Sequence, residues 1–558
     1  MGRDQRVRTP FGERLIHYFD WTASGRGLSF IESYLQRTAL SEYANTHTED
    51  DATGRATSLR LHAAERILKE AVHAGEDYRI VHCGSGTTEA IHRLMQILGI
   101  YVPPALMERR REELFRSPDV PVVFIGPYEH HSNVIPWREG LCHLVEIPED
   151  AEGAVDLGVL DAALADPRHA GRQKIGCFSA ASNVTGMKTD VRAVARLLHR
   201  HDAIACFDWA AAAPYDPIDV RGEDGSWSDA ILYSPHKFLG GPGSSGVLIF
   251  HRRLYNPDLP PSFGGGGTVG YVGPNDHDFL PDIEEREKPG TPGILQVMRA
   301  ALAVQVKERL GSALIGELEF RHLCRVMDRW LEDPRIELLG NPDPARRIGI
   351  VAFNVRSRDR YLHPRFVTRL LCDLFGIQTR AGCSCAGPYG HRLLGIDEPT
   401  SERYRGAVGR GCQAIKPGWV RVNVHYTMSD EEIEYLLDGV DFVAEHGSRF
   451  LSRYELRLDT GAWVPRGWED PPVRFGIDHA LEGDLAPPGE VLTRQDRERL
   501  RAQALSDARQ AAERLSAEER WVHLPGELES ISTFHARHVI LEDGTCHGLA
   551  GDPGDTDH

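Results

Sequence analysis

Three stretches set reactive residue types at the ends of apolar runs. Cys83-Gly84-Ser85-Gly86-Thr87-Thr88-Glu89 is a small-residue turn leading into a helical stretch. Backbone N–H groups at a helix start, with hydroxyls beside them, suit an anion such as a phosphate, although such turns also serve plain βα geometry. Asp208 closes the run Ala205-Cys206-Phe207-Asp208, and a carboxylate leaving a buried strand either caps the next helix or meets a cation. Ser234-Pro235-His236-Lys237-Phe238-Leu239-Gly240-Gly241-Pro242-Gly243 sets a lysine between an apolar strand and a glycine-rich turn. An amine that loses its hydration there suits Schiff-base chemistry; the plain alternative is a surface lysine. In this order, phosphate turn, aspartate and lysine match pyridoxal 5'-phosphate: phosphate at one end, ring nitrogen on Asp208, aldehyde on Lys237.

Other residues fall into place around these. His130 and His131 follow an apolar run, where paired histidines are either solvated loop residues or aromatic partners for a ring. Arg421 sits inside Trp419-Val420-Arg421-Val422-Asn423, and an arginine in an apolar strand must find an anion: a substrate carboxylate or a structural ion pair. Arg380-Ala381-Gly382-Cys383-Ser384-Cys385-Ala386-Gly387-Pro388 carries two thiols on a small-residue loop near cationic groups, a setting for sulfur nucleophiles. A lone C-x-C pair is a weak metal signal, and no metal site is expected.

The elements that must position these residues are legible as alternation. Short apolar runs at Arg79–His82, Val120–Ile125, Lys174–Ser179, Ala203–Asp208, Ala230–Tyr233 and Gly246–Phe250 alternate with helical stretches, the pattern of parallel strands joined by crossover helices. Sites in open α/β sheets lie at such strand ends. After Pro292 a long helix is expected to about Arg335, then strands at Ile348–Asn354 and Trp419–Val424 and a helix from Ser429, capped by Ser429 and Glu432. The expected architecture is therefore α/β. An N-terminal segment (1–30) joins a smaller α+β domain (296–448), a large mostly parallel-sheet domain covers 31–295, and an extension covers 449–558. Residues 451–558 hold 21 acidic groups against 12 arginines and no lysine. Leu500, Ala504, Ala508, Ala511 and Leu515 recur there at helical spacing behind Thr493 and Asp496. The extension is read as packed on the body, with a partner-binding or lid module as the alternative.

With 558 residues, 41% hydrophobic and 26% charged, the chain is globular and too long for one core. A net charge of −18 speaks against a nucleic-acid partner. No apolar run approaches the roughly 20 residues of a membrane span, so a cytoplasmic location with no membrane partner is expected. Ten cysteines at irregular spacings argue for reduced thiols rather than a disulfide framework.

Several separated words resemble the class V aminotransferase fold, a pyridoxal-phosphate transferase fold of type I, and within it SUF-type cysteine desulfurases and selenocysteine lyases. They are Ser85-Gly86-Thr87-Thr88-Glu89-Ala90, Glu129-His130-His131-Ser132-Asn133-Val134-Ile135-Pro136-Trp137, Ser182-Asn183-Val184-Thr185-Gly186, Ser234-Pro235-His236-Lys237, Pro260-Pro261 with Gly264-Gly265-Gly266, and Gly290-Thr291-Pro292. The resemblance spans about residues 15–445. It implies that Lys237 bonds to the cofactor, Asp208 pairs with the ring nitrogen, His130 stacks on the ring and Asn183 lies near the ring hydroxyl. Thr87, Thr88, Ser234 and His236 would hold the phosphate, and Thr291 would reach that of a neighbouring subunit, implying a homodimer. Arg421, Asn183 and Arg380 would bind the substrate, with Arg421 on the substrate's carboxylate. Cys385, three residues after Gly382, would be the nucleophile that takes sulfur from L-cysteine, leaving alanine and a persulfide for a sulfur-acceptor protein; Cys383 has no counterpart in the family pattern, and a disulfide relay, a metal site or packing are its open readings.

The chain departs from the family pattern at Ala211, where a Gln would touch the ring oxygen, at Pro235, where a Gly is usual, and in the extension. A C–S lyase, epimerase or kynureninase-like hydrolase, and a non-catalytic sulfur-carrier scaffold, remain the alternatives.

Overall fold

The computed structural model describes residues 1–46, 48, 50–484, 491–515, 524 and 526–540. They divide into two units: Met1, 21–320 and 343–348 form the first, and 2–20, 321–342 and 349 onward the second.

The first unit is built on a seven-stranded sheet. Its order is Tyr78–Cys83, Gly246–His251, Ala230–Tyr233, Ile204–Asp208, Lys174–Ser179, Val122–Ile125 and His143–Glu146. Nearly every residue of the central strands is buried, as expected of strands covered on both faces. Gly176 lets a helix approach: a Cβ there would lie 2.5 Å from Leu198 on the helix Val191–Arg200, which Asp190 caps. Six strands run in one direction, and Gly246–His251 alone is antiparallel, to both its neighbours. Between Tyr233 and Gly246 there is only a single 3-10 turn, Pro235–Lys237, and a parallel return needs a longer, usually helical crossover. The edge strand His143–Glu146, half-exposed, carries no apolar run and is not evident from sequence. The helix expected over Pro292–Arg335 is two helices, Ile294–Leu310 and Ser312–Leu331, broken at Gly311 with φ +80°.

In the second unit a sheet runs in the order Ile336–Leu338, Ile350–Ser357, Trp419–Asn423, Arg380–Gly382. The helices Pro364–Phe375 and Asp430–Phe450 share its core, and the second opens with the Ser429/Glu432 capping box. The extension packs on this unit. Tyr454–Arg457, Trp463–Pro465 and Val539–Ile540 form a small sheet, and the helix Arg494–Glu513 starts at a Thr493/Asp496 capping box. That helix buries Ala504, Ala508 and Ala512, residues small enough for close helix contact. Tyr454 donates from its hydroxyl to Asp373 at 2.8 Å, and Tyr404 to the Ile531 carbonyl at 2.9 Å. Among the described residues no helix is long and apolar enough to cross a membrane.

Candidate active site

In the first unit the strand ends converge. The strand Tyr78–Cys83 ends at Gly84 (φ +42°), and the helix Thr87–Ile97 begins three residues later. Its first N–H, from Thr87, is accepted by Ser234 Oγ at 3.0 Å, so the end of a different strand caps this helix. A Cβ on Gly86 would come within 3.0 Å of Ser234 Oγ and 3.5 Å of His236 Nε2; glycine keeps that cup open. Burial and the neighbouring Lys237 charge hold His236 down at about 4, so its imidazole is neutral at pH 7. The backbone carbonyl of His236 is fixed by the Gly25 N–H at 2.9 Å and the Ser24 hydroxyl at 3.2 Å.

Thr88 Oγ1 lies 2.8 Å from Ser132 Oγ, which lies 3.1 Å from His130 Nδ1. The same ring nitrogen accepts the Ser132 N–H and caps the turn His131–Asn133, so His130 is a fixed residue rather than a solvated loop side chain. Asp208 is buried, and among the described residues the Ala210 N–H, at 2.8 Å, is its only hydrogen-bond donor. Burial pushes its carboxyl up, opposed by that N–H and by the Lys237 charge. Asn183 is buried in a turn whose backbone is held by Ser182 Oγ, which accepts from the Val184 and Thr185 amides. Thr291 is exposed, its hydroxyl accepting from Asn45 at 2.9 Å.

In the second unit Arg421, buried in its strand, donates to Asp20 at 2.9 Å, and Arg380 stands 3.5 Å from the other oxygen of the same carboxylate. The anion that Arg421 meets is thus a residue of the chain itself. Cys383 is half-buried and Cys385 exposed, on the turn after the strand Arg380–Gly382.

Sequence reasoning missed Asp20, Ser132 and Glu129. Asp20 carries no local signal, since its partners lie far along the chain. Ser132 and Glu129 stand inside the His130 word, and their polar types at a strand end were the available clue.

The family model for class V aminotransferases matches residues 17–436. The chain belongs to the class V aminotransferase family. Similar members of this family include a probable cysteine desulfurase of Halalkalibacterium halodurans, 27% identical over 394 residues, covering 69% of this chain and 86% of the relative. A probable cysteine desulfurase of Streptomyces coelicolor is 26% identical, with 73% and 88% covered. Among solved structures, the apo cysteine desulfurase of Thermococcus onnurineus NA1 shares the fold with a TM-score of 0.61 at 22% identity, over 77% of this chain and 95% of that one. The matched region ends before the extension.

Proposed function

We propose that this class V chain is a pyridoxal 5'-phosphate enzyme, a homodimer of the cytoplasm, that converts L-cysteine to L-alanine and takes the sulfur onto Cys385. The observation that carries the cofactor reading is Asp208. A carboxylate shut away from water with one amide donor needs a cation to stay ionised; the Lys237 charge acts on it in the chain itself, and a protonated pyridine nitrogen would replace that charge once Lys237 is bonded to the cofactor. The cup of Gly86, Ser234 and His236 at the start of the helix Thr87–Ile97 supports a phosphate. With His236 neutral, the attraction comes from the helix start and from N–H and O–H donors. Trp209 Nε1, buried with no hydrogen-bond partner among the described residues, leaves a donor in the segment where Ala211 supplies none.

When bound, pyridoxal phosphate supplies an electron sink for bonds broken at the substrate's Cα. Lys237 anchors it and moves the proton at Cα, Asp208 holds the proton on the ring nitrogen, and His130 stacks on the ring. Asn183 is assigned to the ring hydroxyl, Thr87 and Thr88 to the phosphate, and Thr291 to the phosphate across the dimer. Arg421 and Arg380 set two positive charges against the single charge of Asp20, and the net charge of +1 matches a substrate carboxylate. Cys385 Sγ accepts the sulfur: the Cβ–S bond breaks, an S–S bond forms, and a proton goes to carbon. Alanine and a persulfide result, the persulfide going on to a sulfur acceptor.

The names of the relatives support desulfuration over other class V reactions. Protein loaded with pyridoxal phosphate and given L-cysteine is expected to form alanine and protein-bound persulfide. Pyruvate and ammonia without alanine would assign a C–S lyase, a racemised product an epimerase, and no product from any amino acid a scaffold.

A further inference from the structure

The turn that carries Cys385 is unusual in its backbone. Ser384 and Cys385 both have left-handed φ, +50° and +55°, and the Ala386 N–H closes the turn on the Cys383 carbonyl at 3.0 Å. Hairpin turns with two successive positive φ values favour Asn-Gly, and a non-glycine residue held there is strained. The consequence is proximity. In an extended strand, residues two apart lie about 6.6 Å from each other, near the far limit for a disulfide; a turn that folds back brings them inside the 4.4–6.8 Å range of Cα separations, roughly, that disulfides use. Cys383 is the first residue of this turn and Cys385 the third.

Of the other described thiols, Cys83, Cys142, Cys177, Cys206 and Cys412 are buried and Cys324 and Cys372 are half-buried, and burial pushes Cys83 and Cys142 up to about 12. Among the described residues no group of three His, Cys, Asp or Glu side chains is arranged to hold a metal ion. A half-buried and an exposed thiol, neighbours on one strained turn, are suited to thiol–disulfide exchange.

We propose that Cys383 is a resolving thiol that releases the sulfur taken up by Cys385 as sulfide. This rests on the desulfurase reading. The Cys383 thiolate attacks Sγ of the Cys385 persulfide, the bond from that Sγ to the outer sulfur breaks, and hydrosulfide leaves with the electron pair. A Cys383–Cys385 disulfide forms and the proton of Cys383 passes to solvent. The two cysteine sulfurs are oxidised by two electrons in total and the outer sulfur is reduced to sulfide. Hydrosulfide is a less basic leaving group than a cysteine thiolate, which favours attack at the inner sulfur. An external dithiol then reduces the disulfide by two exchanges. A disulfide closing so small a ring is strained and therefore easily reduced. The chain would thus give sulfide with a dithiol alone, without an acceptor protein.

The test is one turnover of the full-length holoenzyme with limiting L-cysteine and no added thiol, reading alanine, sulfide and the mass of the tryptic peptide Ala381–Arg392. Wild type is expected to release one sulfide per alanine and to leave this peptide about 2 Da lighter than its dithiol form. Cys383→Ser is expected to release roughly tenfold less sulfide and to keep an adduct of about 32 Da on Cys385. Alanine with a persulfide that persists on the wild type overturns the proposal and leaves the desulfurase reading standing; no alanine removes both. Diamide oxidation of the folded protein in the absence of substrate checks the geometry alone: it should link the two cysteines within that peptide, and failure to link them overturns the proposal.

Discussion

Glu129 joins two neighbouring parallel strands through Ser179. Its Oε2 accepts the Ser179 hydroxyl at 2.5 Å and its Oε1 the Ser179 N–H at 2.8 Å, while Gly126 N–H and Asn133 Nδ2 donate at 3.1 and 2.6 Å. Burial raises this carboxyl to about 7 against the pull of those donors. Ser179 is the register partner of Asp208 and Glu129 precedes His130, so one buried group ties the backbone at both proposed ring contacts.

Glu129→Gln sets an amide nitrogen against donors, since Asn133 is fixed by Trp137 Nε1 and the Cys177 carbonyl. It is expected to cost about 2–4 kcal/mol, and Ser179→Ala about 1 kcal/mol, in urea unfolding of the cofactor-free protein. An unchanged midpoint for Glu129→Gln would contradict the accounting.

Ser234→Ala removes the acceptor for the Thr87 N–H and one wall of the cup proposed to hold the phosphate. The dissociation constant for pyridoxal phosphate is expected to rise about tenfold, equivalent to about 1.4 kcal/mol, in a fluorescence titration. Unchanged affinity would remove Ser234 from the phosphate site.

Asp20→Ala strands a buried guanidinium, since Asp20 is the carboxylate on Arg421. The expected loss of stability is about 3–5 kcal/mol, read by thermal denaturation with wild type as reference. The milder Asp20→Asn, which keeps an acceptor, is expected to retain a measurable fold and show altered KM for the amino acid. An unchanged KM would make the Asp20–Arg421 pair purely structural.

His363 supports the extension: Nε2 donates to the Ala414 carbonyl at 3.0 Å and the ring meets Trp463 and Phe534. Burial lowers it to about 4 from 6.5. Between those values the unfolded chain takes a proton that the native chain refuses, so stability falls as pH drops through this window, by about 3 kcal/mol in full. His363→Gln should flatten that part of the pH–stability curve; an identical slope in the variant would contradict the assignment.

Residues at the ends of apolar runs were legible because strand and turn are written side by side, as at Asp208 and Lys237. The partners were not. Glu129 reaches Ser179 across 50 positions and Asp20 reaches Arg421 across 401, and no local pattern encodes such pairings. Arg421 illustrates the limit: its need for an anion followed from its apolar strand, but the presence of Asp20 beside it did not. The helix read as continuous from Pro292 to about Arg335 runs through Gly311, where a left-handed φ of +80° breaks it in two. The antiparallel strand Gly246–His251 looked like its parallel neighbours because burial on both faces gives the same apolar run in either direction.

The central claim, sulfur transfer to Cys385, is tested most directly by giving L-cysteine to the wild-type holoenzyme and to Cys385→Ser and measuring alanine and protein-bound or released sulfur together. The account predicts alanine and sulfur in equal amounts from the wild type. It predicts loss of both in the variant, which should keep the cofactor's colour and its spectral response to L-cysteine. Full alanine and sulfur output from Cys385→Ser would contradict it.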